Sequence, residues 1–488
     1  MTREFLKDVA KYLPAQLAPA LVSFISIPII TTIFPPAEYG NYILAMTTLN
    51  VFATLNGWAP MSVLRFYPAF EKEGKARAFV LQMFRMAAMS VLILCAVYGL
   101  GLLVARRFYD GHQIFLMQIG MAVFLLQCFF DLNTNTMRAR RQIVRYSACV
   151  VWNAAAAVVI GLGLIHAYRS GIDAFLWGAM AALALVIPLM TLNNLRGCDI
   201  APSAGAARSS LPPDLTRKVL LFGLPVVLGN LELWALSLSD RFIIEHFRGS
   251  AEVGIYSACS GISERSIRML SSLLMAASAP LVLRIWEMDG PEKTRHFLSN
   301  VTRIFLIVCI PSAIGLAILA RPVTNALTGP EYHSGYIILP WAALGAVIFG
   351  TQHIYQYVML IQQKTSTLAV VYLGAGAINI LINILAVPYF GYEAAIASRL
   401  VAYVFLAITL ILISRHYLKW KYPFATLVRT LGAGAAMGAL VFAIAKVRIT
   451  GRPMIDLFCI IGAGALAYGI FLLLFREAKR DELRRLFG

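Results

Sequence analysis

Of the chain's 488 residues 59% are hydrophobic and only 14% charged, with a mean hydropathy of +0.74; a surface that water tolerates cannot be built from this composition, so a soluble globular protein is excluded. Lys and Arg number 42 against 24 Asp and Glu, a formal charge of +18, which in a soluble chain would point to nucleic acid but here follows from topology. Seven cysteines, from Cys95 to Cys459, have no pairable spacing and seven histidines no metal-ligating pattern, so no disulfide framework, zinc site or metalloenzyme is implied and no cofactor is expected.

A spanning helix needs about 20 mostly apolar residues. Such windows recur fourteen times, at 12–34, 41–65, 79–104, 113–132, 146–166 and 173–193, and after a break at 219–239, 253–283, 297–319, 335–360, 366–388, 392–413, 424–445 and 454–475. The expected fold class is an all-α polytopic membrane protein. The first window follows Arg3, Lys7 and Lys11, is interrupted by Pro14, Pro19 and Pro28, and lacks a small-residue cleavage site; it reads as a retained helix rather than a signal peptide. With the N-terminus inside, inner loops and tails collect 26 of the 42 Lys and Arg and outer loops 9. This bias predicts that both termini are cytoplasmic, assigns most of the net charge to contact with anionic membrane lipids, and removes nucleic acid as a partner. The longest connection, 194–218, reads as a flexible inner-side linker, and no outer loop has room for a catalytic domain.

The chain also repeats itself. Leu13-Pro14-Ala15-Gln16-Leu17 matches Leu224-Pro225-Val226-Val227-Leu228, Glu38-Tyr39-Gly40-Asn41-Tyr42 matches Glu252-Val253-Gly254-Ile255-Tyr256, and Gly171-Ile172-Asp173-Ala174 matches Gly391-Tyr392-Glu393-Ala394, at collinear offsets of 211, 214 and 220. Each half holds six helices, an even number, so the copies share one orientation about an axis along the membrane normal. The expected organisation is a first lobe over 1–193, a cytoplasmic linker over 194–218, a second lobe over 219–413, and a closing helix pair with a basic tail over 414–488.

Certain motifs go further. Ile27-Pro28-Ile29-Ile30-Thr31 ends the first helix, Pro35 and Pro36 form the turn, Glu38-Tyr39-Gly40-Asn41-Tyr42 opens the second helix, and Arg65-Phe66-Tyr67-Pro68 lies at its inner end. This opening resembles the O-antigen type of polysaccharide flippase, and two six-helix lobes with a final pair resemble the V-shaped, MATE-like plan of the multidrug, oligosaccharidyl-lipid and polysaccharide exporter superfamily. The resemblance implies translocation of an undecaprenyl-diphosphate-linked oligosaccharide across the bacterial cytoplasmic membrane by alternating access, with a polysaccharide polymerase and glycosyltransferases as partners.

An ionisable side chain at mid-bilayer costs about 2.5–3.5 kcal/mol on insertion scales, so those inside the windows are the site candidates. Glu264, Arg265 and Arg268 lie roughly 16 to 23 Å along their helix from Val253. Ser257, Ser260, Gly261, Glu264, Arg268, Ser271 and Ser272 recur at spacings of three and four, one polar stripe that reads as a cavity wall. Arginine suits a diphosphate because its planar fork stays charged and grips two oxygens. The alternative is a structural Glu264–Arg268 pair; the basic cavity that the resemblance implies favours the substrate role.

Through the repeat offset of 214, Glu264 and Arg268 map onto Asn50 and Thr54, neutral groups that suit sugar hydroxyls, although packing is the commoner role of such residues. Glu232 is expected to neutralise Arg265 or Arg268 in the empty cavity, the alternative being a proton-coupling carboxylate. Arg65 reads as snorkelling at the inner end, or as meeting the entering diphosphate; Arg399 is a further substrate-binding candidate. Asp240 and Arg241 read as a solvated surface pair, and Asn379, Asn383, Gln352, His353 and Gln356 as hydrogen-bonding between helices.

Other functions fit less well. Cation-coupled multidrug antiporters typically carry a carboxylate in the first helix, and window 12–34 has no charge at all. A peptidoglycan lipid-precursor flippase shares the helix plan, but the basic residues typical of its first helix are absent. For an enzyme such as a polymerase, no nucleophile, base or metal constellation is present.

Overall fold

The computed structural model describes residues 2–196, 211–445, 453–475 and 477. Much of the expected linker, the loop expected to be the last outer one and most of the basic tail lie outside the described residues. Within them the secondary structure is helical, with no strand. The helices are α1 (Thr2–Ile33), α2 (Pro36–Leu55), α3 (Trp58–Lys72), α4 (Ala76–Ala105), α5 (Gly111–Ala139), α6 (Ile143–Tyr168), α7 (Ala174–Arg196) and α8 (Leu215–Leu238). They continue as α9 (Asp240–Arg248), α10 (Ser250–Ile318), α11 (Ala320–Leu327), a 3-10 turn (Pro330–Ile337), α12 (Ile338–Ile361), α13 (Thr365–Tyr417), α14 (Phe424–Ala445) and α15 (Pro453–Leu474).

Eleven of the described helices are long and apolar enough to cross a membrane, and the protein is a multi-pass membrane protein. Two of the eleven, α10 and α13, are each a pair of spans joined at a glycine with non-helical angles, Gly290 (φ 82°) and Gly391 (φ 58°); α2 with α3 supplies another. Counted in this way, the fourteen expected spans are present. Large apolar side chains that remain exposed, such as Leu92, Leu100, Leu185, Leu221 and Leu385, are the groups that hydrocarbon solvates.

The structure departs from the sequence expectation at four boundaries, each for a local reason. The loops expected after residues 283 and 388 shrink to single residues, because glycine alone enters the positive-φ region without strain, and Pro291 then fills the first helical position, where a missing N–H costs nothing. Window 41–65 breaks at Asn56–Gly57, since Pro60 has no N–H and its ring crowds the carbonyl four residues back. The seventh span does not stop at Ser239 but kinks there and runs on as α9; the Ser239 hydroxyl donates to the Ala235 carbonyl, competing with the helical ladder.

Contacts divide the chain into two compact units, residues 1–26 with 38–234 and residues 27–37 with 235–488. The first is built round Trp58, Tyr67, Phe79, Met83, Leu132 and Val219, with Phe70 stacked on Phe79 at 4.7 Å. In the second, Val301, Phe305, Ile354 and Val358 form one cluster, and Leu236, Tyr372, Ala402, Tyr403 and Leu406 another.

The end of α1 and the turn after it belong to the second unit. Ile27, Ile30, Thr31 and Phe34 are buried, the Gly329 N–H donates to the Thr31 hydroxyl (3.2 Å), and the Tyr332 hydroxyl donates to the Phe34 carbonyl (2.9 Å). A Cβ on Gly254 would lie 2.0 Å from the Pro36 carbonyl oxygen, and one on Gly329 2.1 Å from that of Thr31. The opening motif is thus a backbone-to-backbone docking segment.

Candidate functional site

The kink between α8 and α9 creates the site. α8 ends at Leu238 and α9 begins at Asp240, so a helix C-terminus with unpaired carbonyls, which favours cations, and a helix N-terminus, which favours anions, meet within a few residues. Asp240 is fully buried. Its carboxylate accepts hydrogen bonds from the Tyr256 hydroxyl of α10 (2.6 Å) and from the Asn379 (2.7 Å) and Asn383 (3.0 Å) amides in the first half of α13. Arg399, in the second half of α13, adds Nε at 2.8 Å and Nη2 at 2.6 Å.

The Gly391 hinge folds the two halves of α13 back on each other, and the Ser398 hydroxyl donates to the Asn379 side-chain oxygen at 2.9 Å. The hinge is held by Glu252 at the start of α10, whose carboxylate accepts from the Tyr392 N–H (3.1 Å) and from Arg248 (2.8 Å). Arg399 in turn donates to the Ser237 carbonyl at 3.1 Å and to Glu264 of α10, and its guanidinium carbon lies 5.2 Å from the centre of the Tyr256 ring, within cation–π range. The other Glu264 oxygen meets Arg268 Nη2 at 3.3 Å.

These contacts make a chain of alternating charge, Asp240–Arg399–Glu264–Arg268. Side-chain exposure rises along it from 0% to 4%, 18% and 59%. The inner members are mutually neutralised, as buried ions must be, and the outermost, Arg268, presents a guanidinium able to meet an anion. Arg265 is half-buried on the same helix, its guanidinium packed against Gly261.

Of the residues expected from the sequence, the structure brings Glu264, Arg268 and Arg399 together. Along the polar stripe on α10, Ser257, Ser260 and Ser271 are buried, Gly261 and Glu264 are half-buried, and Arg268 and Ser272 are exposed. Asn50, Thr54, Arg65 and Glu232 belong to the first unit. The Asn50 amide donates to the Met46 carbonyl and the Thr54 hydroxyl to that of Asn50, both at 2.7 Å, with Asn50 exposed and Thr54 half-buried. Arg65 is exposed on α3, and Glu232 is buried in α8 with no ion pair among the described residues of that unit. Between helices, the Tyr372 hydroxyl donates to Gln352 at 3.0 Å, whereas His353 pairs with Gln356 of its own helix.

One reading is corrected. Asp240 is no solvated partner of Arg241 but the anchor of the buried network, because the seventh span continues past it as α9 and carries it inside. The signal available was Arg399 itself, since an arginine in an apolar window requires a carboxylate. A second cluster also escaped the sequence reading: buried Glu477 accepts from Arg303 (2.7 Å), Arg429 (3.0 Å) and Thr426 (2.5 Å). Burial works against its charge, but the hydrogen bonds from Thr426, Arg303 and Arg429 outweigh that and hold the carboxyl below the usual glutamate range.

A search of the curated proteins by sequence found no significant match. Among solved structures, the chain is similar to the lipid II flippase MurJ in an inward closed conformation, with a TM-score of 0.77 at 13% identity over 97% of this chain and 99% of that one. It is also similar to an inward-facing multidrug resistance MATE transporter of the MOP superfamily (0.62, 14% identity, 83% and 94%). A third likeness is to a MOP superfamily transporter from Pyrococcus furiosus, described as having a binding pocket of reverse polarity (0.55, 14% identity, 84% and 92%). At such identities these likenesses establish the fold, the helical plan that the sequence motifs implied. Residues 29–337, well over half of the chain, match the family model described as polysaccharide biosynthesis protein, and the chain belongs to that family.

Proposed function

We propose that the protein carries an undecaprenyl-diphosphate-linked oligosaccharide from the inner to the outer leaflet of the bacterial cytoplasmic membrane by alternating access, as a carrier and not an enzyme. The observation that carries this reading is Arg268, an arginine whose side chain is 59% exposed at the end of an ion chain that is neutralised and progressively buried in a membrane-spanning unit. An accessible, always-charged fork is suited to a diphosphate and ill suited to a cationic drug. Arg265 contributes a second positive charge on the same helix, Glu264 pairs with Arg268, and Arg399 fixes Glu264. In the first unit, Asn50 and Thr54 are proposed to meet sugar hydroxyls, Arg65 to meet the incoming diphosphate, and Glu232 to supply counter-charge to the empty site. Both termini are cytoplasmic in this reading, the basic loops lie on anionic lipid, and a polysaccharide polymerase and glycosyltransferases act before and after it.

A second reading, a peptidoglycan lipid-precursor flippase, is favoured by the full-length likeness to the lipid II flippase; its substrate also carries a diphosphate, so the glycan separates the two. The test is leaflet-specific accessibility of a labelled undecaprenyl-diphosphate oligosaccharide in proteoliposomes. Wild type translocates it, Arg268→Ala does not while remaining folded, and Arg268→Lys recovers part, because the charge returns without the fork. Full transport by a folded Arg268→Ala protein sinks the assignment, and uptake of a cationic dye instead moves it to the antiporter class.

A further inference from the structure

Glu264 faces two arginines at once. One oxygen meets Arg399, which is 4% exposed and held from its other sides by Asp240 and the Ser237 carbonyl. The other meets Arg268 through a single 3.3 Å contact on an exposed side chain. The two ends of this arrangement are therefore unequal: Arg399 is fixed, and Arg268 is free to leave. Without Arg268, Asp240 and Glu264 share one guanidinium, and the network carries an excess negative charge next to an accessible cation.

We infer that Glu264 is a tethered competitor for Arg268, which sets the release of an anionic substrate rather than its capture. This rests on the diphosphate reading above. In the empty protein Arg268 lies on Glu264; an arriving diphosphate draws it away by offering a fork-matched pair of charged oxygens. The exchange leaves Glu264 paired with Arg399 but the network one negative charge in excess, which draws Arg268 back. As the diphosphate moves on, Glu264 reclaims Arg268 and occupies the donors that the substrate would otherwise rebind. Arginines without such a competitor would hold the ground state too firmly, lowering KM without raising turnover.

The test is Glu264→Gln in proteoliposomes, with translocation of a labelled undecaprenyl-diphosphate disaccharide read as KM and kcat, and inorganic pyrophosphate as competing inhibitor. For a lost, partly exposed ion pair, KM falls about 2- to 5-fold, kcat falls with it, and the pyrophosphate inhibition constant drops by the same factor. A purely structural Glu264 lowers the yield of folded protein and leaves KM and kcat of what remains unchanged, which overturns the inference. A shift for the lipid without one for pyrophosphate also overturns it, since the effect is then not on the diphosphate. Where Glu264→Gln does not accumulate, Glu264→Asp decides: it keeps the charge opposite Arg399 but shortens the reach to Arg268, and gives the same split in smaller measure. Wild type that neither translocates the lipid nor is inhibited by pyrophosphate removes the diphosphate reading and this inference together, whereas a normal wild type with an unchanged variant removes this inference alone.

Discussion

Arg399→Met removes the cation that Asp240 and Glu264 share. The methionine fills much of the volume, so the loss is mainly electrostatic: Asp240, fully buried, loses contacts at 2.8 and 2.6 Å, and the Ser237 carbonyl loses its donor at 3.1 Å. Breaking a buried pair by removing one partner costs about 3–5 kcal/mol. Asp240 keeps hydrogen bonds from Tyr256, Asn379 and Asn383, and Glu264 keeps Arg268, which argues for the lower half of that range. At about 2–4 °C per kcal/mol for a domain of 150–250 residues, the melting temperature falls by on the order of 6–16 °C.

The assay is thermal unfolding in detergent, followed by size-exclusion chromatography of the surviving monodisperse fraction. The double variant Arg399→Met, Asp240→Asn removes both charges, keeps a side-chain oxygen to accept from Tyr256, Asn379 and Asn383, and leaves Glu264 with Arg268. It recovers much of the loss, because no uncompensated charge is left at position 240. An Arg399→Met protein melting within about 2 °C of wild type, or a double variant no more stable than the single one, would refute the reasoning that links these charges.

Gly391→Ala and Gly290→Ala separate backbone strain from crowding. Both residues have positive φ, worth about 1–3 kcal/mol of strain for alanine, but a Cβ on Gly391 would lie 2.4 Å from a Glu252 carboxylate oxygen whereas Gly290 faces open space. Gly391→Ala is thus the more destabilising in the same melting assay, and equal losses would show that Glu252 yields freely. Glu477 gives a pH signature. Its folded-state pKa is depressed, so its contribution is present above the unfolded glutamate value of about 4.3 and is lost as pH falls through the lower folded value. Wild type therefore loses an acid-range stability increment that Glu477→Gln lacks at every pH; parallel melting curves for the two proteins between pH 6 and pH 3 contradict this, the range being about that of carboxylate titration.

The helical class and the spanning segments were legible in the sequence because hydrocarbon imposes a length and a composition on every spanning segment, and that constraint is local. The opening motif was legible as a resemblance, but its physical role was not: why residues 27–37 carry a pattern became clear only where Thr31 and Phe34 meet Gly329 and Tyr332 nearly 300 residues away. Among the site residues, Glu264 and Arg268 could be paired from sequence because one helical turn joins them. Arg399 and Asp240 could not, being 159 positions apart, and Asp240 looked interfacial because a serine-directed kink, rather than a change in hydropathy, ends α8. The sequence by itself determined that charges must be paired inside the membrane; the tertiary structure decided which pairs form and which arginine is left exposed, since pairing across helices depends on hinges at Ser239 and Gly391 that leave no periodic signal.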